Sequence, residues 1–176
     1  MASIKFPKPA KLVVGLISGE EDLFTQIKAS LIKKFGKIDF ESETLPFNHT
    51  DYYKDEFGEN LKRKFFSFKR LIDPGKLKNI KLYILRLERK CSKDGRRKIN
   101  IDPGYLTLSK LVLSTTKDYF HRVYLGKGIF AEPTLHFQDK TFQGFEWTYP
   151  DYRSKGYIEI FNKIREILRS QIKNSQ

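Results

Sequence analysis

Residues 11–36 carry the strongest secondary-structure signal in the chain, and they require a fold that contains both strands and helices. Residues 11–17 form a compact apolar run with β-branched side chains, which predicts a central strand. Ser-Gly-Glu-Glu at residues 18–21 has the spacing of a capping box and predicts the start of a helix. Apolar side chains then recur at helical spacing as far as Phe35. Gly36 predicts that the helix ends there, with the glycine in a left-handed backbone conformation.

A second strand and two further helices are predicted in the middle of the chain. A rough alternation predicts the strand at residues 37–47. The next helix would begin with Thr50 or Asp51 as its cap, and its apolar stripe would be Tyr53, Phe57, Leu61, Phe65 and Phe68. Asp73 followed by Pro74 predicts the start of another helix, with Asp73 as the cap. The buried stripe of that helix would be Leu77, Ile80, Ile84, Leu87 and Cys91.

The C-terminal half predicts short elements joined by turns. Residues 99–101 indicate a short strand, and Asp-Pro-Gly-Tyr at residues 102–105 is typical of a turn. The apolar spacing of residues 108–115 fits one and a half turns of helix, although a β-branched strand fits it as well. Toward the end of the chain, residues 141–147 predict a last strand and residues 157–172 a final helix.

An alternation of period two surrounds Gly-Lys-Gly at residues 126–128 and predicts a β-hairpin. A loop of these three residues would make Arg122 and Glu132 direct cross-strand partners. Strict alternation would place His121 on the opposite sheet face, so that His121 and Arg122 would not contact one ligand unless a bulge intervenes. Pro133 cannot donate a ladder hydrogen bond, which predicts an edge strand or a bulge at that position.

Together these elements predict a single α+β domain, whose mixed sheet has an antiparallel C-terminal half and packs against several helices. The length of 176 residues suits one domain with a proper hydrophobic core. Residues 1–10 contain two lysines and two prolines, and we expect them to form a flexible N-terminal lead before that domain.

Positive charge is concentrated in one stretch of the sequence. The formal net charge is +13, and residues 61–98 hold 15 Lys and Arg against 3 Asp and Glu. If the two helices predicted there lie side by side, their shared face would attract phosphate groups, so a polyanion is a natural partner to test. The candidate nucleic-acid contacts are Lys62, Arg63, Lys69, Arg70, Lys78, Lys81 and Arg89.

Several classes of protein are disfavoured by what the sequence lacks. Cys91 is the only cysteine, which excludes an internal disulfide and a cysteine-based zinc site built from this chain alone. No window approaches ~20 uninterrupted apolar residues, and the N-terminus lacks the apolar run of a signal peptide. A cytoplasmic protein without a membrane partner is therefore expected. No G-x-x-x-x-G-K-[ST] sequence is present, which disfavours a GTPase.

Several sequence blocks carry a resemblance to a known family. They are Asp51-Tyr-Tyr53 with Glu56-Phe-Gly58, Asn100-Ile-Asp-Pro-Gly-Tyr-Leu106, His121-Arg-Val-Tyr-Leu-Gly-Lys-Gly-Ile129, Glu132-Pro-Thr-Leu135 and Trp147-Thr-Tyr-Pro-Asp-Tyr152. From about residue 11 to the last helix, the chain resembles an uncharacterised bacterial family catalogued as domain of unknown function 4416. The resemblance implies a bacterial, cytosolic, single-domain protein without an established activity, and some members of the family carry the label of GTP-binding protein.

The stretch from residue 100 to residue 152 is the predicted functional face. Carboxylates, cations, a histidine and hydroxyl-bearing aromatic residues recur there on short strands and turns. The first hypothesis is an enzyme or a binder of a phosphorylated small molecule or nucleotide, which would use this face.

Individual roles follow from the chemistry of the side chains. Asp102 and Asp151 would hold magnesium or act as bases. Lys117 and Arg97 would contact phosphate oxygens, and His121 would act as a general acid. Further candidate ligand contacts are Tyr105, Arg122, Glu132, Thr148 and Tyr149.

Two other functions stay open at the level of sequence. Non-catalytic RNA or DNA binding would use the basic helices, although no RRM, KH, zinc-finger or helix-turn-helix signature is present. A structural or partner-binding role is the third hypothesis. The location of the polar residues separates the first two, since a concave cluster would favour chemistry and a flat basic face would favour nucleic-acid binding.

Overall fold

The computed structural model describes residues 3–48 and 60–174, which form nine β-strands and three α-helices. The strands are β1 (Lys11–Ser18), β2 (Ile38–Glu41), β3 (Leu45–Pro46), β4 (Lys62–Phe68), β5 (Asn100–Leu106), β6 (Lys110–Thr115), β7 (Val123–Gly126), β8 (Ile129–Gln138) and β9 (Thr141–Gly144). The helices are α1 (Glu21–Phe35), α2 (Leu77–Lys90) and α3 (Lys155–Lys173). A 3-10 turn at Pro74–Lys76 leads into α2. Residues 3–9 have no regular secondary structure and are exposed.

The strands form one open sheet in the order β2-β4-β1-β5-β6-β8-β7, with β3 paired to β4 and β9 paired to β8. The predicted α+β class is confirmed. All pairings between described strands are antiparallel, so the sheet expected to be mixed in its N-terminal half is antiparallel there as well. The reason is the connectivity. Helix α1 joins β1 to β2 and helix α2 joins β4 to β5, and in each case a third strand lies between the two joined strands.

Strand β1 lies at the centre of the molecule and is buried along its whole length. Successive residues of a strand point to opposite faces of the sheet. Leu12, Val14 and Leu16 pack with the apolar stripes of α1 and α2 on one face. Val13 packs with Phe65 and the apolar stripe of α3 on the other face. The sheet therefore separates two hydrophobic cores.

The helix predicted to include Phe65 and Phe68 is wrong in its described part, because these residues belong to strand β4. Strand β4 lies between β1 and β2 and is covered on both faces. Phe65 packs in the core beside α3, whereas Phe66 and Phe68 pack in the core beside α1 and α2. Phe65 and Phe68 therefore match the helical spacing only by chance, because this strand carries apolar residues on both faces. The proposed caps Thr50 and Asp51, with Tyr53 and Phe57, lie outside the described residues.

The turn predicted at residues 102–105 is also wrong, since strand β5 continues through them. Gly104 has a packing role there. A Cβ atom at Gly104 would lie 2.5 Å from the Val112 carbonyl oxygen, so that only glycine lets β6 approach this closely. For residues 108–115, the strand alternative is confirmed as β6.

Most of the remaining elements agree with the sequence pattern. The capping box predicted at residues 18–21 is wrong, because α1 is preceded by Glu20, which makes no side-chain cap hydrogen bond. The strand predicted at residues 37–47 is divided into β2 and β3. Strand β1 with helix α1, helix α2 and helix α3 all form where they were predicted. Gly36 ends α1 with a φ of 89°, in the left-handed region. Asp73 Oδ1 accepts a hydrogen bond from the Gly75 N–H at 2.8 Å, as expected of a cap. Helix α3 is capped by Ser154, whose hydroxyl accepts from the Tyr157 N–H.

Candidate functional site

Strands β5 and β6 separate at one end, and a cavity of about 410 Å³ lies there. Their pairing extends from Leu106–Leu111 to Gly104–Leu113 and stops. The next residue of β5 is Pro103, which has no N–H to donate. Its carbonyl oxygen accepts a hydrogen bond from Ser114 Oγ at 2.8 Å. The separation leaves polar side chains of both strands on the walls of the cavity.

Helix α2 supplies two buried charged residues that satisfy the backbone of the separated strand. Lys81 Nζ donates to the Ile101 carbonyl oxygen at 3.0 Å, and Glu88 Oε1 accepts from the Ile101 N–H at 2.6 Å. Both side chains are buried and line the cavity. Burial raises the pKa of Glu88, although the charge of Lys81 and the hydrogen bond from Ile101 act in the opposite direction.

Asp102 is held in a fixed position among donors. Asn100 Nδ2 donates to Asp102 Oδ2 at 2.8 Å. Arg63 Nη1 lies 3.4 Å from the same oxygen, and Lys81 Nζ lies 4.0 Å from the other carboxylate oxygen. The carboxylate therefore lies between two cationic side chains on the wall of the cavity.

Arg63 is the largest fully buried side chain of the described residues, with 1% of its surface exposed. Its guanidinium lies 4.7 Å from the centre of the Phe65 ring and donates to the Tyr152 hydroxyl. Burial alone would lower the pKa of Arg63, but attraction to Tyr152, Asp102 and Asp151 outweighs it, so the pKa is raised and the group stays charged. Its Nε has no hydrogen-bond partner within residues 3–48 and 60–174.

Arg122 and Glu132 form the ion pair predicted from the hairpin. Arg122 Nε donates to Glu132 Oε2 at 2.7 Å, and both side chains are buried. The hairpin register is confirmed at Val123–Ala131 and Tyr124–Phe130. The three-residue loop is wrong, because the register shifts after Tyr124 and Gly126 pairs with Ile129, which leaves a turn of two residues. Burial lowers the pKa of Arg122, but the hydrogen bond and charge of Glu132 raise it, and the net shift is upward. The pair is therefore fixed on the cavity wall, with Arg122 in its charged form.

The prediction that His121 lies on the opposite sheet face from Arg122 is wrong. His121 Nε2 lies 3.2 Å from the same Glu132 oxygen that Arg122 contacts. His121 belongs to a turn that precedes β7, in which the Arg122 N–H donates to the Tyr119 carbonyl oxygen. Strict alternation does not apply in a turn. The bulge predicted at Pro133 is confirmed, because the pairing of β6 with β8 shifts register next to it.

Seven of the ten residues proposed as catalytic or ligand-binding line this one cavity, and the other three do not. The seven are Arg97, Asp102, Lys117, Arg122, Glu132, Tyr149 and Asp151. His121 lies behind Glu132 and lines a neighbouring groove. Tyr105 is half-buried on the paired part of β5, where burial raises its pKa. Thr148 is buried in a loop contact, in which its hydroxyl donates to the Thr134 carbonyl oxygen at 2.7 Å and accepts from the Phe145 N–H.

The residues proposed to bind nucleic acid do not form one helical face. Lys62, Arg63, Lys69 and Arg70 belong to β4 or follow it directly, and β4 is a strand inside the sheet, so the two adjacent basic helices expected there do not exist. Lys78, Lys81 and Arg89 lie on α2. Arg63 and Lys81 are buried and line the cavity, whereas Lys69, Arg70 and Arg89 are exposed.

The structure adds four charged or amide side chains to the site that the sequence interpretation did not place there. They are Arg63, Lys81, Glu88 and Asn100. A signal for two of them exists in the sequence, because Lys81, Leu85 and Glu88 follow one another at helical spacing and lie on one side of α2. For Arg63 the local sequence offers no such signal, since its neighbours Lys62 and Lys64 are also basic.

From the sequence, magnesium is a candidate ligand of Asp102 and Asp151, and no membrane partner is expected. Within the described part of the chain, no three or more His, Cys, Asp or Glu residues are grouped so that they could hold a metal ion. None of the helices that the structure describes is long and apolar enough to cross a bilayer.

The fold and the site define an α+β protein with an open antiparallel sheet and a charged cavity between two separated strands. The chain belongs to the family described as domain of unknown function (DUF4416), whose model matches residues 8–168. This confirms the family resemblance of the sequence blocks. No curated protein and no solved structure matches the chain.

Proposed function

We propose that the cavity binds a small phosphorylated molecule. The observation that carries the proposal is the composition of its wall, which combines five cationic side chains with four carboxylates. The cations are Arg63, Lys81, Arg97, Lys117 and Arg122, and the carboxylates are Glu88, Asp102, Glu132 and Asp151. The excess is positive even with every group ionised. It increases further if Glu88, whose pKa is raised by burial, takes up a proton.

The mixture of charges suits a ligand that carries both a phosphate and hydroxyl groups. Cationic side chains bind phosphate oxygens through short, charge-assisted hydrogen bonds. Carboxylates that are already held by fixed donors, such as Asp102, accept hydrogen bonds from ligand hydroxyls. A volume of about 410 Å³ lies in the range typical of small-molecule sites.

Lys117 and Arg97 are the residues we assign to phosphate binding. Lys117 is exposed on the segment that follows β6, and Arg97 is half-buried on the segment that precedes β5, so both lie at the edge of the cavity. Magnesium bound by one or two carboxylates together with phosphate oxygens is a common arrangement. Asp102 and Asp151 are the candidates for such a site, and magnesium is therefore included in the test.

Calorimetric titration and thermal unfolding with inorganic phosphate, ribose 5-phosphate and glucose 6-phosphate test the proposal, each with and without magnesium. A ligand present at ~100 times its dissociation constant should stabilise the protein by ~2.7 kcal/mol. We expect Lys117→Ala and Arg97→Ala each to weaken binding by about tenfold, since each removes a charged hydrogen bond worth ~1.5–3 kcal/mol.

Arg96→Ala is the matched control. Arg96 is exposed, directly precedes Arg97 and does not line the cavity. Its substitution should leave the affinity for each phosphorylated probe unchanged. Failure of all three probes to bind, or equal losses for Arg96→Ala and Arg97→Ala, would contradict the proposal.

A further inference from the structure

A groove lined by aromatic side chains adjoins the cavity. Its lining includes Tyr119, Phe120, Trp147 and Tyr149, together with the floor residues His121 and Arg122. Arg122 and Tyr149 line both the groove and the cavity, so the two spaces meet at these side chains. One ligand can therefore extend from the cavity into the groove.

The groove combines a fixed wall with exposed ring faces. The Trp147 ring stacks on the rings of His121 and Phe145. The distances between ring centres are 5.0 Å and 4.8 Å, and the angles between the ring planes are 12° and 8°. The indole N–H donates to the Pro133 carbonyl oxygen at 2.8 Å, which holds the ring in place. In contrast, the Phe120 and Tyr119 side chains are 79% and 62% exposed. Large exposed aromatic rings at the edge of a cavity can stack on a flat apolar ligand surface.

Polar groups in the groove indicate the kind of flat surface that fits. The Arg122 guanidinium lies 5.5 Å from the centre of the Tyr119 ring, and its Nη2 lies 3.5 Å from the Tyr149 hydroxyl. Glu146 adds an exposed carboxylate to the lining. A planar ring with polar edges can stack on Phe120, the more exposed of the two rings, and contact Tyr119 beside it while its N–H groups donate to Glu146. A nucleobase has this combination of an apolar face and hydrogen-bonding edges.

We infer that the groove binds the base of a nucleotide whose phosphate lies in the cavity. The inference rests on the proposed function, because it takes the cavity as the phosphate site. It assigns Phe120 and Tyr119 to base stacking and Glu146 to hydrogen bonding with the edge of the base. Arg122 connects the two parts of the site, since it contacts Glu132 in the cavity and Tyr119 in the groove.

The test compares the affinity for ribose 5-phosphate with the affinities for the four ribonucleoside 5′-monophosphates. Stacking of one base on an aromatic side chain typically strengthens binding by about tenfold or more. We therefore expect at least one nucleoside monophosphate to bind about tenfold more tightly than ribose 5-phosphate. Phe120→Ala should remove this advantage and leave the affinity for ribose 5-phosphate unchanged.

Tyr124→Ala is the control for loss of an exposed aromatic side chain, at a position on β7 four residues after Phe120. Tyr124 is 60% exposed and lines neither the cavity nor the groove. Its substitution should leave the nucleotide advantage intact. Equal affinities for ribose 5-phosphate and all four nucleotides would overturn the inference while the proposed function stands. An unchanged nucleotide advantage in Phe120→Ala would also overturn it, and no binding of any phosphorylated probe would overturn both.

Discussion

At the residue scale, Gly15 makes room for the buried cation of the site. Gly15 lies at the centre of β1, directly opposite Phe65 of β4 and Asp102 of β5. A Cβ atom at this position would lie 3.0 Å from Phe65 Cε1 and 3.1 Å from Arg63 Nη2. The missing side chain therefore leaves the space that the Arg63 guanidinium uses to reach Asp102.

Gly15→Ala should displace Arg63 and lower both stability and ligand affinity. Overpacking of a well-packed interior costs about 1–3 kcal/mol, and urea unfolding measures this loss. Binding of ribose 5-phosphate should weaken with it, because Asp102 loses one of its two cations. Gly156→Ala is the matched control, since a Cβ atom there would meet nothing within 4 Å on helix α3. The control should gain up to ~1 kcal/mol from helix propensity, and equal behaviour of the two variants would contradict this account of Gly15.

The raised pKa of Glu88 makes its contribution to stability depend on pH. Burial favours the protonated form in the folded protein, so the native state holds this proton more tightly than the unfolded chain does. The contribution of Glu88 is complete below the ordinary pKa of 4.5 and is lost as the pH rises through the folded-state value. Glu88→Gln keeps an acceptor for the Ile101 N–H and cannot ionise.

Glu88→Gln should therefore gain stability relative to the unmodified protein as the pH rises from about 4 to about 7. Urea unfolding of both proteins at the two pH values measures this difference. Glu159→Gln, at an exposed position of helix α3, is the control for the substitution itself. A difference between Glu88→Gln and the unmodified protein that stays constant with pH would show that burial does not control this carboxyl.

At the scale of elements, helix α2 is bonded to strand β5 at the point where β5 no longer pairs with β6. Where β5 separates from β6, the backbone of Ile101 has no partner from β6 and instead bonds Lys81 and Glu88 of α2. Buried backbone groups need such partners, because an unsatisfied one costs about as much as a lost hydrogen bond. The helix therefore makes the opening between the strands possible, and with it the cavity.

Lys81→Met tests this attachment, because methionine fills similar space but cannot donate to the Ile101 carbonyl oxygen. The loss should be about 1–3 kcal/mol, as expected for a buried acceptor left without its donor. Lys90→Met carries the same change at an exposed position of α2, and surface changes of this kind usually stay within about 0.5 kcal/mol. Chemical denaturation of both variants checks the comparison. Similar losses for the two would refute the structural role of Lys81.

At the scale of the whole molecule, the net charge of +13 favours an anionic ligand at long range. If the cavity binds a phosphorylated molecule as proposed, positive potential around the protein should raise the rate of association, and salt should weaken this effect. The same charge would also attract a polynucleotide without specificity. However, Arg63 and Lys81 are buried and line the cavity, so they are not part of an exposed basic face. Some cationic residues of the basic stretch 61–98 therefore line the cavity, whereas others are exposed on the surface.

The sequence by itself determined those elements whose signals are local. Helical spacing predicted α1, α2 and α3, and Asp73 was predicted as a cap ahead of α2. The Gly-Lys-Gly sequence predicted the hairpin of β7 and β8 with the Arg122–Glu132 pair. It also singled out Asp102, Lys117 and Asp151, which line one cavity in the structure. Such features are predictable because they depend on residues close together in the chain or in one hairpin register.

The tertiary structure alone decided what depends on distant neighbours. Phe65 and Phe68 form a strand because β1 and β2 pair with β4 on both sides. Pro103 and Gly104 stay extended because β5 remains paired with β1 beyond the point where its pairing with β6 stops. Arg63 is buried because residues far along the chain surround it with rings and carboxylates. Burial and strand pairing are properties of the assembled sheet, so no local pattern of residues specifies them.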